Sequence, residues 1–145
     1  MGGADQQSDM LLAADNPADV SLLRTAFREY GQRPWRIHNV RDGEAALALL
    51  QQQGLSAGVP RPHLTILDIG LPKLGGWKIL QTLRTTPALV MLPVVMLTGA
   101  TMAVDEGHRA ALRPQAYFVK PVLLSEYQQL VKKLEKLLHA IPSNG

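Results

Sequence analysis

The sequence predicts an α/β fold, a five-stranded parallel sheet covered by helices on both faces. Three observations predict it. Short apolar runs of strand length alternate five times with longer stretches whose apolar residues recur at helical spacing. One run, Pro93–Leu97 (PVVML), is almost wholly apolar, as strands buried on both faces of a parallel sheet are. Gly, Pro and Asn fall between these segments and mark their ends.

Residues 1–9 (MGGADQQSD) are polar and Gly-rich and read as a flexible tail. Met10–Ala14 is the first strand. Asn16 is then placed to cap a helix that Pro17 opens, where a missing N–H costs nothing. Val20, Leu23, Phe27 and Tyr30 follow at helical spacing, and Gly31 is a stop. Trp35–Val40 alternates as a second strand, and Gly43–Gln53 is an Ala/Leu-rich helix ending at Gly54. A Gly/Pro-rich loop from Gly54 to Pro62 leads to the third strand, His63–Asp68. Leu71-Pro72 and Gly75-Gly76 make a tight turn before a helix at Trp77–Thr86. After the fourth strand, Pro93–Leu97, come a helix over Ala103–Leu112 and a short strand at Ala116–Val119. The last helix carries Tyr127, Leu130, Val131, Leu134, Leu137 and Leu138 on one stripe.

With 145 residues, 46% apolar and 19% charged, the chain has the size and composition of one ordinary globular domain. The domain is expected over 10–140, with 141–145 as a C-terminal tail. Only 25 residues follow Lys120, room for one helix and no DNA-binding or other output domain. No apolar run has the length of a membrane span, and the N-terminus lacks the basic and apolar regions of a signal peptide. The absence of cysteine excludes disulfides and thiolate metal sites and fits a cytoplasmic location. A net charge of +3, scattered along the chain, argues against a nucleic-acid surface.

In a doubly wound sheet, ligands bind beyond the carboxyl ends of the strands, where the strand order reverses. For the order 2-1-3-4-5 that point lies between strands one and three. The residues at those ends are Asp15, Asp68, Thr98 and Lys120. Taken singly, each has a bland reading as a cap or a solvated loop residue. Together they place two carboxylates, a hydroxyl and an ammonium in one pocket. Paired carboxylates suit a hard cation such as Mg²⁺. An ionised carboxylate can attack phosphorus to form an aspartyl phosphate, with cation, ammonium and hydroxyl stabilising charge on the transferring group.

The segments LLAADNPADV, LTILDIGLPKLGGWKIL, VVMLTGA and AYFVKPV resemble the four signature blocks of response-regulator receiver domains, and the likeness runs from Met10 to Leu138. The resemblance implies a phosphoacceptor at Asp68, phosphorylated by a sensor histidine kinase of a two-component system. It implies Mg²⁺ held by Asp15, Asp68 and the backbone carbonyl of Gly70. It also implies a switch hydroxyl at Thr98, a phosphoryl-binding Lys120, a switch aromatic at Tyr117 and a cis Lys120–Pro121 bond. The switched surface would run from strand four to helix five and serve an unknown downstream protein or a homodimer. The NPADVxLL opening and the RP-containing loop resemble small regulators paired with bacterial phytochrome kinases. Such a protein takes part in its own phosphotransfer and dephosphorylation and is not a turnover enzyme.

The chain departs from the family pattern at Ala14, where the first block normally carries a second acid. Losing that acceptor predicts weak Mg²⁺ binding, since such outer partners are worth 10- to 100-fold in affinity. Gly99 leaves space beside the phosphoryl site. Arg113-Pro114 replaces a glycine-containing turn, so the fourth helix is expected to end differently. His38, His63, His108 and His139 show no metal-ligand spacing. Trp35 and Trp77 read as packing residues, and Met91, Met96 and Met102 as filling. Two alternatives remain at this stage. One is a phosphorylation-independent pseudo-receiver acting as an interaction module, supported by Ala14. The other is an aspartate-nucleophile phosphohydrolase, which usually carries a second Asp two residues on, where this chain has Gly70.

Overall fold

The structure, a computed structural model, describes residues 8–51, 61–99 and 106–140. Five strands alternate with five helices: β1 (Ser8–Ala13), α1 (Pro17–Tyr30), β2 (Trp35–Val40), α2 (Gly43–Leu50), β3 (Leu64–Asp68), α3 (Gly76–Arg84), β4 (Val94–Thr98), α4 (Glu106–Leu112), β5 (Ala116–Val119) and α5 (Leu124–Ala140). The strands form one parallel sheet in the order β2-β1-β3-β4-β5, as the sequence predicts.

Side chains alternate across the sheet, so each buried strand serves two cores. Met10, Leu12, Leu64, Ile66, Val95 and Leu97 pack under α1 and α5 with Leu23, Phe27, Tyr127, Leu130, Val131 and Leu134. Leu11, Ala13, Leu67, Val94 and Met96 face the other way, against Ala46 and Leu50 of α2 and Ile79, Leu80 and Leu83 of α3. The two clusters explain why the central strands read as continuous apolar runs rather than alternating ones.

Local chemistry sets most boundaries. The Asn16 carboxamide accepts from the N–H groups of Ala18 (2.9 Å) and Asp19 (3.2 Å), and Pro17 starts α1. Gly31 ends it with an ordinary φ of −71°; a Cβ there would lie 2.5 Å from the Phe27 carbonyl oxygen. Close approach, not a left-handed turn, requires glycine at this stop.

Several boundaries differ from expectation. β1 starts at Ser8, so Ser8 and Asp9 belong to the sheet rather than the tail. Both are buried polar residues satisfied by distant partners. Ser8 Oγ accepts from Arg33 Nη1 (3.0 Å), Asp9 Oδ1 lies 3.2 Å from His38 Nε2, and the Asp9 N–H donates to His63 Nδ1 (3.0 Å). β3 begins at Leu64, one residue past His63. α3 stops at Arg84 rather than Thr86, and there the Thr85 and Thr86 hydroxyls donate back to the carbonyls of Gln81 (3.1 Å) and Thr82 (2.7 Å). β4 is shifted by one residue to Val94–Thr98, because Pro93 has no N–H for the ladder while Thr98 pairs with Val119. The expected extension of α2 to Gln53, the loop from Gly54, the start of the fourth helix at Ala103, and Met102 lie outside the described residues, as do the side chains of His108 and His139.

Arg113 follows α4 with φ 48°, a left-handed conformation that costs a non-glycine residue about 1–2 kcal/mol. The different ending of α4 anticipated from Arg113-Pro114 is therefore a strained one. Arg84 braces it from below, donating to the carbonyls of Leu112 (3.0 Å) and Arg113 (3.2 Å), and to Val90 (3.1 Å) at the other side of the corner.

Candidate functional site

The ends of β1, β3, β4 and β5 meet at one rim. Asp68 ends β3 and is 4% exposed. Its turn is tight: the Gly76 N–H donates to the Ile69 carbonyl (3.2 Å), and a Cβ on Gly76 would lie 2.8 Å from the Asp68 carbonyl oxygen. That close contact holds the start of α3 under the acid and explains the second glycine of Gly75-Gly76.

Each oxygen of the Asp68 carboxylate has a partner. Oδ1 accepts from the Gly70 N–H (2.9 Å), and Oδ2 is ion-paired with Lys120 Nζ. Lys120 follows β5, and its own N–H donates to the Thr98 carbonyl (2.7 Å), extending the β4–β5 ladder into the site. Thr98 is buried, with Oγ1 donating to the Gly99 carbonyl (3.3 Å). Three of the four predicted residues therefore share one rim of adjacent strands.

Asp15 sits past the end of β1 and is exposed, while Ala14 beside it is buried. Ala14 is fixed by its backbone: its N–H donates to the Val40 carbonyl (3.0 Å) and its carbonyl accepts from Asn39 Nδ2 (3.2 Å). Asp15 also lines a cavity of about 360 Å³ with Arg24, Arg28 and Arg41. Three arginines thus line the same cavity as this carboxylate. The oxygen set of Asp15, Asp68 and the Gly70 carbonyl suits a hard cation that keeps several waters and takes only one or two carboxylates. It is a minimal set, since Ala14 offers no side-chain donor and the described residues contain no cluster of three metal-ligating side chains.

Tyr117, on β5, is half-buried and stacks on Trp77 of α3, with ring centroids 6.1 Å apart and planes at 24°. The Lys120–Pro121 bond is trans, against the cis bond expected. Trans is the cheaper isomer by about 0.5–1 kcal/mol. The turn that follows is closed instead by Glu126, whose Oε1 accepts from the N–H groups of Val122 (3.0 Å) and Leu123 (2.9 Å).

Sequence reasoning missed Asp19. This first-turn residue of α1 places Oδ2 3.0 Å from Lys120 Nζ, so the ammonium sits between two carboxylates. Burial alone would lower the Lys120 pKa; the hydrogen bonds and charges of Asp68 and Asp19 outweigh it and hold the pKa above the usual lysine value. The available signal was an acid one turn into a helix that starts at the reacting end of β1, which by itself reads as complementing the helix dipole.

Comparison with known proteins agrees with this geometry. The profile of the response regulator receiver domain matches residues 10–135. The response regulator Rcp1 of Synechocystis is 33% identical over 126 residues, covering 87% of this chain and 85% of that protein. The crystal structure of the phosphorylated cyanobacterial phytochrome response regulator RcpA superposes with a TM-score of 0.84 at 33% identity, covering 95% of this chain and 98% of that one. The Mn²⁺-bound form of Rcp1 gives a TM-score of 0.82 at 31% identity, covering 95% and 99%. Sheet order, strand-end chemistry and sequence converge, and the chain belongs to the response regulator receiver family of two-component signalling.

Proposed function

We propose that this receiver accepts a phosphoryl group on Asp68 from a sensor histidine kinase and that the kinase is a bacterial phytochrome. The observation that carries the reading is a buried carboxylate at the end of β3, paired with Lys120 and hydrogen-bonded by the Gly70 amide. An Asp68 oxygen attacks phosphorus, an O–P bond forms, the N–P bond to the kinase imidazole breaks, and the imidazole leaves with the bonding pair. Lys120 neutralises charge on the phosphoryl oxygens. The likeness to the cyanobacterial phytochrome response regulator RcpA supports the choice of kinase.

Asp15, Asp68 and the Gly70 carbonyl would hold Mg²⁺, which supplies charge neutralisation to the transferring group. Ala14, which offers no oxygen ligand where a second acid would stand, keeps its affinity low. The modified Asp68 draws the Thr98 hydroxyl toward it, and Tyr117 turns inward. The surface from β4 to α5 then shifts its population between two states. That surface carries exposed apolar side chains at Val119, Val122, Leu123 and Leu124, suited to a downstream protein or a second copy. The protein works in the cytoplasm as a switch, not as a turnover enzyme.

The test is incubation with acetyl phosphate and Mg²⁺, comparing the protein with Asp68→Asn by phosphate-affinity electrophoresis. A mobility shift that needs Asp68 supports the reading. The second reading, a phosphate-independent interaction module, is favoured by Ala14 and requires no such shift.

A further inference from the structure

We propose that Asp19 is a positioning residue for phosphoryl transfer, acting through Lys120; the proposal rests on the phosphoacceptor reading above and adds a residue to it. α1 begins at the reacting rim because Asn16 caps it and Pro17 opens it, and the Asp19 N–H is itself tied to the Asn16 carboxamide at 3.2 Å. The Asp19 backbone is therefore fixed. Its side chain is 21% exposed, as is that of Lys120, and the 3.0 Å contact between them spans from the first helix to the end of the last strand.

A lysine ammonium is a compact charge on a flexible four-carbon stem, with three donors. Paired only with Asp68, it would neutralise that carboxylate and follow it. Shared with Asp19, it is anchored from the α1 side and divides its donors between two acids. Two consequences follow. Asp68 keeps more of its negative charge and is the better nucleophile. The ammonium also stays where it can serve a phosphoryl oxygen once Asp68 carries about −1.5 to −2 charge, by analogy with other phosphorylated side chains. Asp19 touches neither the phosphodonor nor the reacting atoms; its effect passes through Nζ.

The experiment follows Asp68 phosphorylation by acetyl phosphate at saturating Mg²⁺ in the full chain, with thermal melts to confirm folding. Asp19→Asn lowers the maximal rate about tenfold, a change of about 1.4 kcal/mol in barrier, and leaves the half-saturating acetyl phosphate concentration near its wild-type value. Asp19→Glu restores most of the rate. In a Lys120→Gln background, Asp19→Asn has no further effect. An unchanged maximal rate in Asp19→Asn overturns the proposal. So does an equal loss in the Lys120→Gln background, or a folded Asp19→Glu protein as slow as Asp19→Asn. If the wild-type chain shows no Asp68-dependent phosphorylation, the phosphoacceptor reading falls and Asp19's role falls with it. If the wild type reacts and Asp19→Asn matches it, only the role of Asp19 is lost.

Discussion

Trp77 and Tyr117 stack across the α3–β5 side of the sheet, 6.1 Å between centroids, so a tryptophan sits directly against the residue proposed above as the switch aromatic. The chain has two tryptophans, and Trp35 lies against Phe27 on the other face. With Trp35→Phe, emission comes from Trp77 alone. Addition of acetyl phosphate and Mg²⁺ is expected to change that emission, and Tyr117→Ala to remove most of the change. A response unaltered by Tyr117→Ala would show that Trp77 senses something else.

Ala14 marks where the site has been simplified. Ala14→Asp restores the missing oxygen donor and should raise Mg²⁺ affinity by about 10- to 100-fold, read by calorimetric titration. The same carboxylate is buried beside Asp15 and Asp68, so the metal-free variant should be less stable by about 0.5–3 kcal/mol. Mg²⁺ should recover that loss, because a ligand bound only to the folded state stabilises it. Urea melts with and without Mg²⁺ check both halves.

Arg84 joins three segments at once, through the carbonyls of Val90, Leu112 and Arg113. Arg84→Ala is expected to cost about 1–3 kcal/mol in urea denaturation, since the part-buried carbonyls of Leu112 and Leu92 lose a charged donor. Arg84→Lys should recover less than half of it, because a point charge cannot replace the planar fork.

The Lys120 pairing has a defined pH signature. Its folded-state pKa is raised, so its stabilisation is complete below the unfolded lysine value and is lost only as pH rises through the folded one. The stability difference between wild type and Lys120→Met should therefore stay level through mildly alkaline buffers and shrink only in strong alkali. A difference that already shrinks near neutral pH would contradict the ion pairs with Asp68 and Asp19.

The sequence revealed the fold wherever local signals act alone. Trp35–Val40 and Ala116–Val119 have the expected limits, and Asn16, Pro17 and Gly31 bound α1 as their chemistry requires. The misplaced start of β1 has a non-local cause. Ser8 and Asp9 are polar, and their burial becomes acceptable through Arg33, Arg36, His38 and His63, brought close by folding. The site was legible in the same degree. Asp68, Thr98 and Lys120 stand at strand ends, and topology alone aligns them. Asp19 stands on a helix, and its partner is nearly the length of the domain away in sequence. No periodicity encodes that contact.

Glu135 separates what can move from what cannot. This buried carboxylate of α5 accepts from the Gln32 N–H (2.8 and 3.0 Å) and from Trp35 Nε1 (2.9 Å), riveting the last helix to the turn between α1 and β2. Breaking the rivet would leave a buried carboxylate without its donors, so the second half of α5 is tied to the segment between α1 and β2. The switch proposed above is therefore expected to move the β4–β5 edge and the start of α5, ahead of this anchor.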